Sequence, residues 1–186
     1  REYFLNFGLG DKTDIDLPNE TAGLVRNLYS QQEVDYATAA FGQGIAVTPI
    51  GITRALAALA NGGLLVQPHL VKQINWQTRL MSGVEPKIER RVLRPETAKE
   101  ITRMLVETVD TALAGGKAKL QSYQIAAKTG TAQMVSPTGG YETDRFFHSF
   151  FGYFPATEPR FLVFLYLVEP KGVRFASQSL TDPFSR

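Results

Sequence analysis

The sequence predicts an α+β fold: an antiparallel sheet with helices packed on it. Two observations lead there. Helix-period patterns stand together in one block of the chain, and three strand patterns follow one another in a later block. Strands joined by short turns, with no helix between them, pair antiparallel.

Residues 1–7 read as the end of a helix, because Tyr3, Phe4 and Phe7 share a face and Gly8 can supply a left-handed cap. Residues 11–29 are loop-rich, punctuated by Pro18 and Gly23. A helix follows Thr48, the N-cap, with Pro49 in its first position. Ile52, Leu56 and Leu59 form its apolar stripe, and Asn61-Gly62-Gly63 stops it. Residues 68–76 are compatible with a strand. The basic cluster Lys87, Arg90, Arg91 and Arg94, broken by Glu85 and Glu89, reads as a solvated loop leading into the next helix. That helix opens at Pro95, spaces Ala98, Ile101, Leu105 and Val109 along one face, and ends at Gly115-Gly116. The three strands cover residues 124–133, 148–154 and 161–168, rich in β-branched and aromatic side chains. Pro137-Thr138-Gly139-Gly140 forms the loop between the first two, and residues 155–159 form the next turn.

Composition narrows the function classes. The 186 residues fall within the roughly 100–200 expected of one domain, and 44% apolar content is enough to bury a core. A net charge of +2, with acids and bases interspersed, offers no basic tract for nucleic acid. The absence of cysteine excludes disulfides and thiolate chemistry and is compatible with any redox compartment. No apolar run approaches the length of about 18 residues needed to cross a bilayer, and no signal peptide is visible.

The most informative segment is Lys128-Thr129-Gly130-Thr131-Ala132, entered through Ile125-Ala126-Ala127. A strand of small residues lets an extended peptide approach its backbone, and the lysine places a positive charge at the start. The tripeptide K-T-G alone fits an ordinary strand running into a turn equally well, with Lys128 guarding an edge against unwanted pairing.

The wider sequence resembles the transpeptidase domain of class B penicillin-binding proteins. The resemblance rests on Phe7-Gly8-Leu9-Gly10, Ile15-Asp16-Leu17-Pro18, the segment Phe41-Gly42-Gln43-Gly44-Ile45-Ala46-Val47-Thr48-Pro49, Ala60-Asn61-Gly62-Gly63, the K-T-G segment through Gln133, and residues 176–179. K-T-G is the third element of a motif set whose first two are S-x-x-K and an S-x-N type triplet. Neither of those occurs here: Ser30 meets Glu33, Ser82 meets Glu85 and Ser122 meets Ile125. The acylated serine is therefore expected outside this chain, and residues 1–186 are expected to be a partial transpeptidase domain, truncated at both ends.

That resemblance implies a penicillin-binding-protein/β-lactamase-like fold and a peptidoglycan D,D-transpeptidase that cross-links stem peptides through a serine acyl-enzyme. It assigns catalytic roles to Lys128, through charge and proton wiring, and to Thr131, through its N–H at the oxyanion. Thr129, Gly130 and Thr131 would bind substrate, the Thr131 hydroxyl meeting the carboxylate of a D-Ala-D-Ala stem or a β-lactam. It implies no cofactor and no metal. The partners implied are the stem peptide, β-lactams and a glycosyltransferase of the elongation or division machinery, on the extracytoplasmic face of the bacterial membrane. A β-lactamase, a D,D-carboxypeptidase and a non-catalytic penicillin-binding sensor remain alternatives, while residues 41–49 and 60–63 look like the cell-wall synthase branch.

Other polar residues rank lower. His69 lacks an acidic partner at ligand spacing. His148 opens an aromatic strand and is read as packing there rather than facing the cleft. Tyr141, Asp144 and Arg145 are placed in the loop after the motif strand, where solvated loop polarity is the default reading and contact with the acyl acceptor the alternative. Gly115-Gly116-Lys117 fails as a phosphate loop, because Thr111 stands at the first glycine position and Ala118 follows the lysine.

Overall fold

The structure, a computed structural model, describes residues 1–76, 81–116, 118–120 and 122–185. Helix α1 (Glu2–Asn6) leads to Gly8 at φ 69°, the left-handed position expected of it. A 3-10 turn, Arg26–Tyr29, follows the loop, and then comes α2 (Glu33–Ala40), which no apolar periodicity in the sequence announced. Thr48 caps α3 (Pro49–Ala60), its hydroxyl accepting the Gly51 N–H at 3.1 Å.

The anticipated stripe of α3 is only half-buried and lines an apolar groove with Tyr3, Phe4 and Phe7. The buried face is Gly51, Arg54, Ala55 and Ala58. Arg54 makes that possible: its guanidinium donates to Glu89 at 2.8 Å and to the Gly8 carbonyl at 3.1 Å, tying α1 and α3 to the strand that carries Glu89.

Four short strands follow: β1 (Leu64–Gln67), β2 (Gln73–Asn75), β3 (Met81–Gly83) and β4 (Lys87–Arg91). They form two antiparallel pairs, β1 with β4 and β2 with β3. Two expectations are corrected here. The strand anticipated over residues 68–76 shrinks to β2, and Lys87, Arg90 and Arg91 of the basic cluster lie in a strand rather than a loop, while Arg94 is the N-cap of the helix that opens at Pro95. Its arginines serve the backbone: Arg90 donates to the Asn6 carbonyl, and Arg91 to the Gly62 and Leu93 carbonyls. Helix α4 (Pro95–Glu107) continues into a π turn (Thr108–Ala112) and a 3-10 turn (Leu113–Gly116).

The main sheet consists of β5 (Ala126–Val135), β6 (Tyr141–Phe154) and β7 (Phe161–Val168), antiparallel in the order β5-β6-β7. Two short helices, α5 (Ala176–Ser179) and α6 (Thr181–Ser185), close the described chain. This is the α+β arrangement with an antiparallel sheet that the sequence predicts.

Alternation along β5 and β6 assigns their side chains to two covered faces. On one, Ala126, Tyr153 and Ala156 pack with Leu59, Ala60, Leu105 and Val106 from α3 and α4. On the other, Ala127 and Phe150 pack with Val109, Leu113, Ala176, Leu180 and Phe184. Burial from both sides explains why Ile125-Ala126-Ala127 is a continuous apolar run. Gly152, opposite Ala127, must lack a side chain because the Phe184 ring occupies the space a Cβ would need.

Carboxylates fix the loop before α2. Glu20 accepts the Thr13 N–H and hydroxyl at 2.7 and 2.6 Å, and the Asp14 N–H at 2.9 Å. Asp16 accepts the N–H groups of Leu70 and Val71 at 2.7 and 2.8 Å, and these two bonds, Val71's foremost, hold its carboxyl below the usual carboxylate range. A lowered folded pKa gives stability that is present above the unfolded value of about 3.9 and lost as pH falls through the folded value. Asp16→Asn is therefore expected to lower the urea midpoint at neutral pH, with the gap to the parent closing below about pH 4. A gap that stayed constant down to acid unfolding would refute the assignment.

Candidate active site

Strand β5 is built to be approached from its side. It pairs with β6 alone, so its other edge is unpaired among the described residues. Lys128 and Thr131 are exposed along this edge, and Thr129 and Gly130 between them are half-buried.

The register fixes where each side chain leaves the strand. Lys128 lies opposite Phe151 and Gly130 opposite Ser149, on the face that carries α3 and α4. Thr129 lies opposite Phe150 and Thr131 opposite His148, on the face of α5 and α6. Being three residues apart, Lys128 and Thr131 leave on opposite faces. An extended ligand along the free edge would have the lysine on one flank and the threonine on the other.

Lys128 donates to the Thr129 carbonyl at 2.9 Å and has no carboxylate partner among the described residues. An ammonium has three donors, so two remain for other acceptors. Gly130 has a reason the sequence did not disclose: a Cβ there would sit 2.5 Å from the Ser149 Oγ. The small residue therefore answers to its cross-strand neighbour as well as to any ligand.

Among the described residues, Thr131 is engaged on one side only. Its Oγ1 accepts the Ala176 N–H at 3.0 Å, which leaves the hydroxyl proton to donate elsewhere. The segment holding Ala176 is itself anchored by His148, fully buried in the middle of β6. His148 Nδ1 lies 2.8 Å from the Ser179 Oγ, and Nε2 lies 3.0 Å from the Arg174 carbonyl. The packing role anticipated for His148 is what the structure has. Its partners lie 26 and 31 residues away, so no local pattern could have revealed them.

Three of the remaining candidates are placed differently from expectation. Tyr141, Asp144 and Arg145 belong to β6 and not to the loop, because the strand begins at Tyr141. Arg145 pairs with Glu169 just beyond β7, and that ion pair holds the Glu169 carboxyl below the usual range. Both line a cavity of about 490 Å³ with Asp144, Phe146, Lys171 and Arg174. His69 is exposed, and Lys117 lies outside the described residues. The described residues contain no group of three or more His, Cys, Asp or Glu able to hold a metal ion, and no helix among them is long and apolar enough to cross a membrane.

Comparison with known proteins gives these features a context. The profile of the penicillin binding protein transpeptidase domain matches residues 1–186. Stage V sporulation protein D of Bacillus subtilis is 37% identical over 175 residues, covering 92% of this chain and 26% of that protein. A probable peptidoglycan D,D-transpeptidase, PenA of Neisseria meningitidis, is 28% identical over 169 residues, covering 91% of this chain and 27% of its own. The chain thus spans about a quarter of the length of these curated relatives. Penicillin binding protein 3 of Mycobacterium tuberculosis, solved in complex with ampicillin, superposes with a TM-score of 0.83 at 32% identity, over 91% of this chain and 39% of that one.

Proposed function

This chain belongs to the penicillin-binding protein transpeptidase domain family, and on that premise we propose that it forms one wall of the active site of a peptidoglycan D,D-transpeptidase. The observation that carries the proposal is the free edge of β5, with Lys128 on one flank and Thr131 on the other.

The acyl donor, a D-Ala-D-Ala stem or a β-lactam, lies extended along this edge. Gly130 and the small side chains beside it keep the backbone within reach. Lys128 directs positive potential and N–H donors toward the acylated serine and its proton network, and the Thr131 N–H helps to hold the developing oxyanion. The Thr131 hydroxyl, with its oxygen already accepting from Ala176, donates to the carboxylate of the donor. A carboxylate only accepts, so the match is chemically complete. Thr129 contributes to the same surface.

The serine nucleophile comes from outside these residues, which contain no S-x-x-K. The full protein is anchored in the cell membrane with this domain on the outer side, and works with a glycosyltransferase of the elongation or division machinery. The relative named a probable peptidoglycan D,D-transpeptidase and the ampicillin-bound neighbour support this reading over a phosphate or nucleic-acid site.

Fluorescent penicillin separates the possibilities. The full protein is expected to carry a covalent label on a serine, and the isolated 186-residue chain none. With lipid-linked peptidoglycan substrate, cross-linked product is expected. Release of D-Ala by hydrolysis alone would move the assignment to a carboxypeptidase, and a full protein that takes no label would overturn the enzymatic reading.

A further inference from the structure

Building on the transpeptidase reading, we infer that His148 and Ser179 form a positioning pair that presents the Thr131 hydroxyl as a donor to the substrate carboxylate. His148 is a polar side chain at 0% exposure in the sheet, yet both its ring nitrogens have partners. The Arg174 carbonyl can only accept, so Nε2 carries a proton. In the neutral ring, Nδ1 then accepts the Ser179 hydroxyl. That contact, at 2.8 Å, is shorter than the alternative from the same hydroxyl to the Ala176 carbonyl at 3.3 Å.

The two anchors, Arg174 and Ser179, bracket Ala176. Held at both ends, the segment keeps the Ala176 N–H 3.0 Å from Thr131 Oγ1. This bond decides the orientation of the hydroxyl. With the oxygen accepting from Ala176, the proton turns away from the segment, out from the exposed side of the strand. Without the anchor, Thr131 rotates among its staggered positions and donates to solvent or backbone as readily as to a ligand. His148 does not touch the substrate; it acts through Ala176 on Thr131.

The distinguishing property is selectivity for a charged acceptor. In the full protein, acylation by benzylpenicillin should be compared with acylation by its methyl ester, which keeps the β-lactam and loses the carboxylate. In Ser179→Ala, the preference for the acid over the ester is expected to fall about tenfold, with the ester rate changed by no more than about twofold, the scale of one charge-assisted hydrogen bond. His148→Phe should do the same, and Ser179→Thr, which keeps the hydroxyl, should retain the preference. If His148→Phe fails to fold, Ser179→Ala decides alone, since it removes one hydroxyl and adds no bulk. Equal losses for acid and ester, or an unchanged ratio, would overturn the inference. A wild-type protein acylated by neither compound would instead overturn the transpeptidase reading beneath it.

Discussion

Replacing Lys128 with alanine in the full protein is expected to slow acylation by penicillin about 10²–10³-fold, the cost of removing one preorganised donor from a site where negative charge develops. Folding should survive. Lys128 is exposed and its one described bond goes to the neighbouring Thr129 carbonyl, so the loss of stability should stay within about 0.5 kcal/mol. That combination discriminates between the two roles a lysine can have on an unpaired strand edge. A lysine that only protects the edge would, once removed, leave acylation intact and raise the tendency to self-associate. A catalytic lysine does the reverse. Lys128→Arg sharpens the test: it restores the charge but offers a planar, bulkier fork, so it should recover edge protection fully and acylation only in part. Acylation of Lys128→Ala within a few-fold of the parent, with new aggregation, would reduce the residue to edge protection.

The sequence made the candidate site's strand legible for a physical reason. Small residues and one lysine are local properties, so residues 124–133 read as a strand that carries one cation. The helices α3 and α4 were legible through Thr48-Pro49 and Pro95, whose fixed backbone angles signal a first turn. What escaped was set by distant partners. The face α3 buries is chosen by Arg54 reaching Gly8 and Glu89, 46 and 35 residues away. The same applies to β4: Arg90 and Arg91 look loop-like in sequence because the carbonyls of Asn6 and Gly62 that they hold lie 84 and 29 residues away. The sequence pattern starts this strand at His148, whereas β6 begins seven positions earlier, at Tyr141. Glu142, Asp144 and Arg145 lack the apolar character of a buried strand, and only pairing with β5 and β7 makes them one. Within the site, Lys128 and Thr131 could be named from the motif. The lock from His148 through Ala176 to Thr131 could not.

The largest stability effect is expected beneath that lock. Phe150 is 1% exposed, lies opposite Thr129, and stacks on Phe184 with ring centroids 4.4 Å apart. Phe150→Ala should cost about 3–5 kcal/mol, because the covered face of the sheet cannot collapse into the space without moving α6. Against a total of about 5–15 kcal/mol for a domain, that is a large share. Chemical unfolding of the full protein measures it. Phe184→Ala removes the other half of the stack, and the double variant should cost less than the two single losses added together, by about 0.5–1.5 kcal/mol of aromatic pairing. The same change reaches β5, since Phe184 also occupies the space over Gly152, the residue opposite Ala127 on that strand. Acylation of the fraction that remains folded should therefore fall as well, and for acid and ester substrates alike. That equal loss sets it apart from the selective loss expected of Ser179→Ala. A cost below about 1 kcal/mol for Phe150→Ala would mean that α6 does not cover this face of the sheet, because a buried ring of this size cannot be deleted so cheaply from a packed core.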